Sequence, residues 1–538
     1  MVHRVGNPRT QQRDVSPPSS ATDAADPPDR LDARLLRIAG VCLLGAVMTI
    51  LDTTVVNVAQ RTFIAEFGST EATVAWTMTG YTLALSTVIP LTGWAVDRFG
   101  TKRLFIASVV LFTAGSLLCA FADTVGLLVA FRVVQGLGGG MLMPLTFTIL
   151  TREAGPKRMG RLAAVLGVPM LLGPIGGPIL GGWLIDAYGW EWIFLINVPI
   201  GVAAVILAAI VFPADNPGTA ERFDVIGMLL LSPGLAIFLY GVSAIPEYGR
   251  FTDSHVAVPA LVGLALIVGF VYHALVRADH PLIDLRLFTD RAVSAANGAM
   301  LFFAAAFFGA SLILPSYFQQ LLHLTPLQSG VHLIPQGLGA MVTMPIAGQI
   351  VDRRGPRPVV LAGVVLITFG MAAFGYGVWH QDAYLPGLAG ALAVIGLGMG
   401  CIMMPLTTAA VQTLRPEHIA RGSTLINVNQ RVAGSVGTAV ISVILTHQID
   451  RSDVLRAAEQ VNGLQEQARA AGRPVDPAAI PAIARQPGFP DHVMASLAHA
   501  YTATFVVAAV LAAVTLVPAL LLPKRPPETA VSPAAAAA

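Results

Sequence analysis

Hydrophobic positions in this chain fall in long blocks broken by short polar stretches. From Leu35 onward, runs of about twenty apolar residues follow one another, the length a helix needs to cross a bilayer core. The pattern predicts fourteen spans, at 36–59, 73–96, 104–122, 124–150, 161–186, 190–212, 224–243, 256–276, 294–318, 327–351, 357–378, 386–410, 421–447 and 499–522. Residues 1–32 are polar and rich in Pro, Ser, Asp and Arg, with no apolar run before Leu35. They read as a disordered cytosolic tail and not as a cleaved signal. Residues 524–538 read as a second cytosolic tail. The polar stretch 448–498 reads either as a small helical cap or as a disordered loop.

Basic residues orient the spans. With the N-terminus inside, the inner loops hold Arg98, Lys102, Arg103, Arg152, Lys157, Arg158, Arg353, Arg354 and Arg421, among others, whereas the short outer loops hold only Arg61 and Arg250. That bias places both termini in the cytosol.

The blocks repeat. Gly93-Trp-Ala-Val-Asp97-Arg98-Phe-Gly100 is echoed by Gly348-Gln-Ile-Val-Asp352-Arg353-Arg-Gly355 at an offset of 255. Met143-Pro144-Leu-Thr146 is echoed by Met404-Pro405-Leu-Thr407 at an offset of 261, and Arg161 and Gly177 by Arg421 and Gly437 at 260. Two homologous six-helix halves follow, 33–215 and 291–523, with two additional spans and a linker inserted at 216–290. Parallel repeats about an axis along the membrane normal are a transporter architecture, with substrate between the halves.

Composition narrows the class further. The chain of 538 residues is 55% hydrophobic and only 12% charged, with a mean hydropathy of +0.69. This is an all-α integral membrane protein. Cys42, Cys119 and Cys401 all lie in apolar segments, so neither a disulfide framework nor a zinc site is indicated. No Walker A, HExxH or CxxC pattern occurs, which leaves an enzyme or ATP-driven pump without a constellation and implies no cofactor and no metal. The net charge of +2 gives no sign of nucleic-acid binding.

Within this frame Gly167–Gly182 stands out as a helix-disfavouring stretch in an apolar span. Gly173, Gly177 and Gly181 form one smooth ridge at a four-residue period, and Pro169, Pro174 and Pro178 each remove a backbone donor. Such a helix survives in a bilayer and admits a close neighbour. It reads either as a packing seam or as a bend where two bundles move. With Gly434 and Gly437, it is expected to line the seam between the halves.

Ionisable groups inside spans are costly and therefore functional candidates. Asp52 lies about 10 Å and Arg132 about 12 Å from the outer helix ends, at 1.5 Å per residue. On adjoining helices they can pair. The guanidinium then favours the carboxylate and burial favours the acid, so the group can load and release a proton; the alternative is a static ion pair. Arg431 is a third deep charge, flanked by Asn427, Asn429 and Gln430. These residues, with Asn57, Trp76, Tyr81, Gln135, Asn297, His332, Gln336 and the Phe302–Phe308 cluster, are candidates for lining a substrate cavity, each with interhelical packing as its alternative. Asp97, Arg98, Asp352 and Arg353 are candidates for contacts that break as conformations switch.

These motifs together resemble the major facilitator superfamily, and within it the fourteen-helix drug:proton antiporter branch typified by EmrB and QacA. The resemblance rests on the Gly93–Arg103 loop, on Arg132-Val-Val-Gln135-Gly136-Leu-Gly138, on Gly167–Gly182, and on Leu51-Asp52-Thr53-Thr54-Val55-Val56-Asn57. It implies proton coupling through Asp52 and Arg132, and gating at the fifth helix and the Asp97 and Asp352 loops. It also implies export of amphipathic or hydrophobic organic compounds by alternating access across a bacterial inner membrane. Expected partners are drug-like substrates, protons and membrane lipids, with the chain a monomer. The alternative is a dedicated exporter of a lipid or endogenous metabolite. The chain departs from the branch at Ala59-Gln60-Arg61, at Trp190-Glu191-Trp192 and at Gln430-Arg431.

Overall fold

The computed structural model describes residues 32–154, 176–177, 179–215, 223–245, 253–412, 414, 419–470 and 479–524, and among them there is no strand. Among the described residues, twelve helices are long and apolar enough to cross a membrane. They are α1 (Ala33–Val58), α2 (Thr73–Phe99), α3 (Thr101–Cys119), α4 (Val125–Ala154), α5 (Trp192–Val211), α6 (Val225–Ser243), α7 (Ser254–Arg277), α8 (Arg291–Gln320), α10 (Pro356–Trp379), α11 (Tyr384–Ala410), α12 (Ile419–Arg451) and α14 (Phe489–Ala519). Two expected spans are not among them. Most of 161–186 lies outside the described residues, and 327–351 corresponds to α9 (Ile334–Arg354), a 21-residue helix whose glutamines lower its hydropathy.

Helix starts follow side-chain caps. Asp32 accepts from Leu35 N at 2.6 Å, Asp290 from Ala292 N at 2.7 Å and Asp224 from Gly227 N at 2.8 Å. Each carboxylate satisfies a donor that the first turn leaves open. Pro233, Pro259, Pro315 and Pro345 sit inside helices, where neighbouring helices re-satisfy the freed backbone groups. The expected outer loop is helical over α13 (Asp453–Ala470), and α14 starts at Phe489, ten residues before the expected span, because Gly488 and Pro490 start a helix in polar sequence.

α1 to α5 pack on one another, and so do α8 to α12 with α14. The inserted hairpin of α6 and α7 packs against α2 and α12, one helix from each half. The halves meet at the end that carries Asp97. There Met344, Met404 and Ala420 join a core with Cys42, Leu145 and Ile149.

Glycine decides the closest approaches. A Cβ on Gly115 of α3 would lie 2.6 Å from the Gln135 backbone nitrogen of α4, and one on Gly138 would strike the Phe112 backbone. Neither backbone can yield without separating α3 from α4. Gly115→Val is therefore expected to destabilise the fold by about 3 kcal/mol, the upper part of the overpacking range. Gly126→Ala, where a Cβ meets nothing within 4 Å, is expected to be neutral. Thermal unfolding in detergent compares the two; equal melting temperatures would show that the contact is not limiting.

Candidate functional site

Five helices of the first half converge on one buried carboxylate. Asp52 of α1 faces Arg132 and Gln135 of α4, which share a helix face at i and i+3. Arg132 Nη1 donates to Asp52 Oδ2 at 2.6 Å and to Gln135 Oε1 at 2.7 Å. Gln135 Nε2 donates to Asp52 Oδ1 at 2.8 Å, closing a ring of three side chains. Arg132 Nε donates to the Thr77 carbonyl of α2 at 3.1 Å, and the guanidinium lies 4.0 Å over the Tyr81 ring, a cation–π contact. Asn197 of α5 reaches Asp52 Oδ1 at 3.5 Å and Ser116 Oγ of α3 at 3.1 Å. Ser116 in turn donates to the Phe194 carbonyl at 2.9 Å. Asp52 and Arg132 side chains are both 0% exposed.

The electrostatics of this cluster are one-sided. Removing one partner of a buried ion pair leaves an uncompensated charge, at about 3–5 kcal/mol. Besides Asp52, Arg132 has the Thr77 carbonyl, the Gln135 amide oxygen and the Tyr81 and Phe194 rings around it, all of them uncharged.

Tyr81 and Gln135, candidates for a cavity wall with interhelical packing as the alternative, are both buried inside this cluster. Ser116 and Asn197 were missed, although both are polar residues within apolar spans. Thr77 contributes through its carbonyl, which no side-chain pattern reveals. The departure at Gln60 has a place here too, since its Nε2 donates to Thr77 Oγ1 at 3.1 Å.

The glycine ridge meets α1 next to Asp52. Cβ atoms on Gly177 and Gly181 would run into Thr54 and Val55, two and three residues beyond the carboxylate. Gly434 and Gly437 of α12 face Phe308 and Ala305 of α8 in the same way. Both ridges thus pack on the first helix of their own half. The close fit these glycines permit is taken up within each bundle, while α12 also runs against α2 and α4 of the first half. Gly173, Pro174 and Pro178 lie outside the described residues.

A second charged group spans the halves. Asp97, at the end of α2, lies 3.7 Å from Arg421 of α12 and 3.9 Å from Arg152 of α4. Gly93 makes room for it, since a Cβ there would sit 3.2 Å from Arg421 Cγ. Ser423 Oγ donates to the Pro144 carbonyl at 3.2 Å, a further link between α12 and α4. Gly100 turns the chain with φ +85°, and Asp215 then accepts from Lys102 N at 2.9 Å and Arg103 N at 3.0 Å. Asp215 was not anticipated. Arg98 and Arg353 are exposed, and the Asp352 side chain lies outside the described residues.

The remaining cavity candidates scatter. Trp76 stacks on Tyr240 of α6 at 5.5 Å, an interface with the inserted hairpin. Asn297 is buried and binds helix to helix, its carbonyl accepting from Asn429 Nδ2 at 2.7 Å. Asn427 Nδ2 donates to the Ser423 carbonyl of its own helix at 2.8 Å. His332 lies beside Tyr384, ring centroids 4.2 Å apart, with Nδ1 2.8 Å from the Gln328 carbonyl. Gln336 Nε2 points at Met399 Sδ, 3.1 Å away. Asn57 and Arg431 are exposed, and Gln430 is half-buried.

Comparison with known proteins places this geometry. The profile of the Major Facilitator Superfamily matches residues 42–438. A multidrug resistance protein B homolog of Mycobacterium tuberculosis (strain H37Rv) is 58% identical over 521 residues, covering 97% of this chain and 94% of that protein. The multidrug export protein EmrB of Escherichia coli (strain K12) is 30% identical over 434 residues, covering 79% of this chain and 83% of EmrB. Among solved structures, the human organic anion transporter MFSD10 aligns with a TM-score of 0.60 at 14% identity, covering 91% of this chain and 99% of that one. The proton:xylose symporter XylE aligns at 0.54 and 14%, over 88% and 94%. At these identities the two structures speak for the fold alone.

Proposed function

The chain belongs to the major facilitator superfamily, and from that premise we propose that it exports amphipathic or hydrophobic organic compounds, as a multidrug efflux transporter driven by inward proton flow. The observation that carries the coupling is the buried Asp52–Arg132 pair. Relatives named for multidrug resistance and multidrug export, matched over most of their length, support the cargo class.

The cycle turns on one carboxylate. A proton arriving from outside protonates Asp52, and its hold on Arg132 and Gln135 weakens. α1 is then free to shift against α4. The Gly177–Gly181 ridge, seated on Thr54 and Val55, carries that shift into the fifth span. Closure of the outer end and opening of the inner end breaks the Asp97–Arg421 contact. Arg132 then expels the proton inward as substrate is taken up. Each proton that moves inward releases about 2.3 kcal/mol per 100 mV, which drives uphill export. The closed inner end, with Asp97 between Arg152 and Arg421, corresponds to the outward-facing state in this scheme. The chain sits in the bacterial inner membrane with both termini cytosolic, the half-bundles being 33–215 and 291–523.

A lipid cargo is the second reading. An apolar cavity of about 350 Å³ lies between the inserted hairpin and α12, lined by Val242, Val256, Ala260, Val436 and Val440. One panel separates the two readings. Cells with and without the gene are exposed to a set of antibiotics and dyes, with and without an uncoupler. Resistance to several unrelated aromatic compounds, lost with the uncoupler, is the expected result. No change in susceptibility, together with altered outer-leaflet lipid, would favour the lipid reading.

A further inference from the structure

Arg431 is a deep charge that the protein does not answer. It stands about 18 Å along α12 from Ile419, at 1.5 Å per residue, well inside a hydrocarbon core roughly 30 Å thick. Among the described residues it has no hydrogen bond and no carboxylate within ion-pair distance. The span at 161–186 offers no counter-charge either, since no acidic residue occurs from 161 to 185. The side chain is nonetheless exposed. A charge at that depth faces the bundle interior or a water-filled cavity, not lipid. Its helix face is the one turned to the first half. Ala420, three turns below, joins Cys42 and Leu145 in the core that closes the inner end. Val428, one turn below, packs against Met48, Tyr81 and Ile89. From there Asn427, Arg431, Ser435, Thr438 and Ser442 follow at intervals of three or four residues, a polar stripe that runs outward. Each of them is at least partly exposed. Such a stripe in a bilayer lines a wet space, here the one between the halves above the closed inner end. Phe308 of α8 is exposed as well and rests on Gly434, three residues beyond Arg431, where a Cβ would lie 2.8 Å from its ring.

We propose that Arg431 anchors an anionic group of the exported compound, so that the chain takes amphipathic aromatic acids in preference to organic cations; this rests on the export reading above. The guanidinium carries five N–H donors in a fixed fork and, unlike that of Arg132, spends none of them on the protein. A carboxylate or phenolate is the partner that suits such a fork. The Phe308 ring nearby offers an apolar face to the aromatic body that bears the acid, and Ser435 and Thr438 place hydroxyls further out along the same wall. Charge sets the preference. Asp52 and Arg132 neutralise each other, so Arg431 leaves the wall with a net positive charge. An organic anion cancels that charge. An organic cation meets a like charge in a confined space, which is an effective way to refuse a ligand. A membrane potential that is negative inside also favours the outward passage of an anion.

Two planar three-ring dyes of similar size separate charge from shape: resorufin, an anion, and pyronin Y, a cation. Their binding to purified full-length protein is followed by fluorescence polarisation. Wild-type protein is expected to bind resorufin more tightly than pyronin Y, and to lose resorufin as salt is raised. Arg431→Gln should weaken resorufin binding about tenfold, the usual worth of a hydrogen bond to a charged group, without weakening pyronin Y. Arg431→Lys keeps the charge and should recover most of the resorufin affinity. Equal resorufin affinity in wild type and folded Arg431→Gln would overturn the proposal, as would a wild type that prefers pyronin Y or binds neither dye. If the glutamine variant fails to fold, the dye preference and salt dependence of the wild type and of Arg431→Lys decide. Selective resorufin binding without dye efflux from cells would instead sink the export reading and leave the anion site standing.

Discussion

Asp52→Asn is expected to abolish proton-driven efflux from loaded proteoliposomes while substrate exchange at equal pH on both sides persists. Asparagine keeps the size of the side chain and an acceptor for Arg132, so the cluster need not change shape. It cannot take up a proton in one state and release it in the other. The variant also removes the counter-charge of a fully buried arginine whose Nη1 donates at 2.6 Å. A loss of stability is therefore expected as well, up to about 3–5 kcal/mol, moderated by the remaining bonds to Gln135 and Thr77. Exchange and efflux separate the two effects. A static ion pair predicts that whatever protein folds still couples efflux to the proton gradient. Efflux that survives at the wild-type rate in folded Asp52→Asn protein removes this carboxylate from the mechanism.

Much of this site was legible because a bilayer makes charge conspicuous. Asp52 and Arg132 announce themselves in spans that are otherwise apolar, and their similar depth follows from 1.5 Å per residue. Ser116 and Asn197 carried the same signal more faintly, since single hydroxyls and amides in spans are cheap and common. What sequence could not supply was adjacency. Tyr81 and Gln135 read equally as cavity or packing residues because nothing along the chain says that both turn toward α1. The glycine ridges left their partners open for a similar reason. Small residues at a four-residue period say that some backbone comes close, not which one, and Thr54 and Ala305 belong to their own halves.

The inner contact leads to the other large effect. Asp97→Ala is expected to lower efflux about tenfold, equivalent to about 1.4 kcal/mol, and to expose the inner end of α12. Taken alone, the Asp97–Arg421 pair is modest. The groups stand 3.7 Å apart, Asp97 is 27% exposed, and pairs of this kind contribute at most about 1 kcal/mol. The aspartate, however, sits between two arginines, Arg421 of one half and Arg152 of the other. Its removal takes away the carboxylate that both Arg421 and Arg152 approach across the closing surface. The lost attraction acts only when the inner end is shut. Such a bias shifts the population between states rather than the stability of either half. Ser423 reports it, being fully buried and bonded to the Pro144 carbonyl. In a background with Cys42, Cys119 and Cys401 replaced, Ser423→Cys should resist a water-soluble maleimide applied from the inner face. With Asp97→Ala added, it should react at least several-fold faster, and Arg421→Ala should give a smaller change because Arg152 keeps its partner. Equal reactivity in all three backgrounds would reduce these residues to setting the orientation of the chain, with the switch located elsewhere.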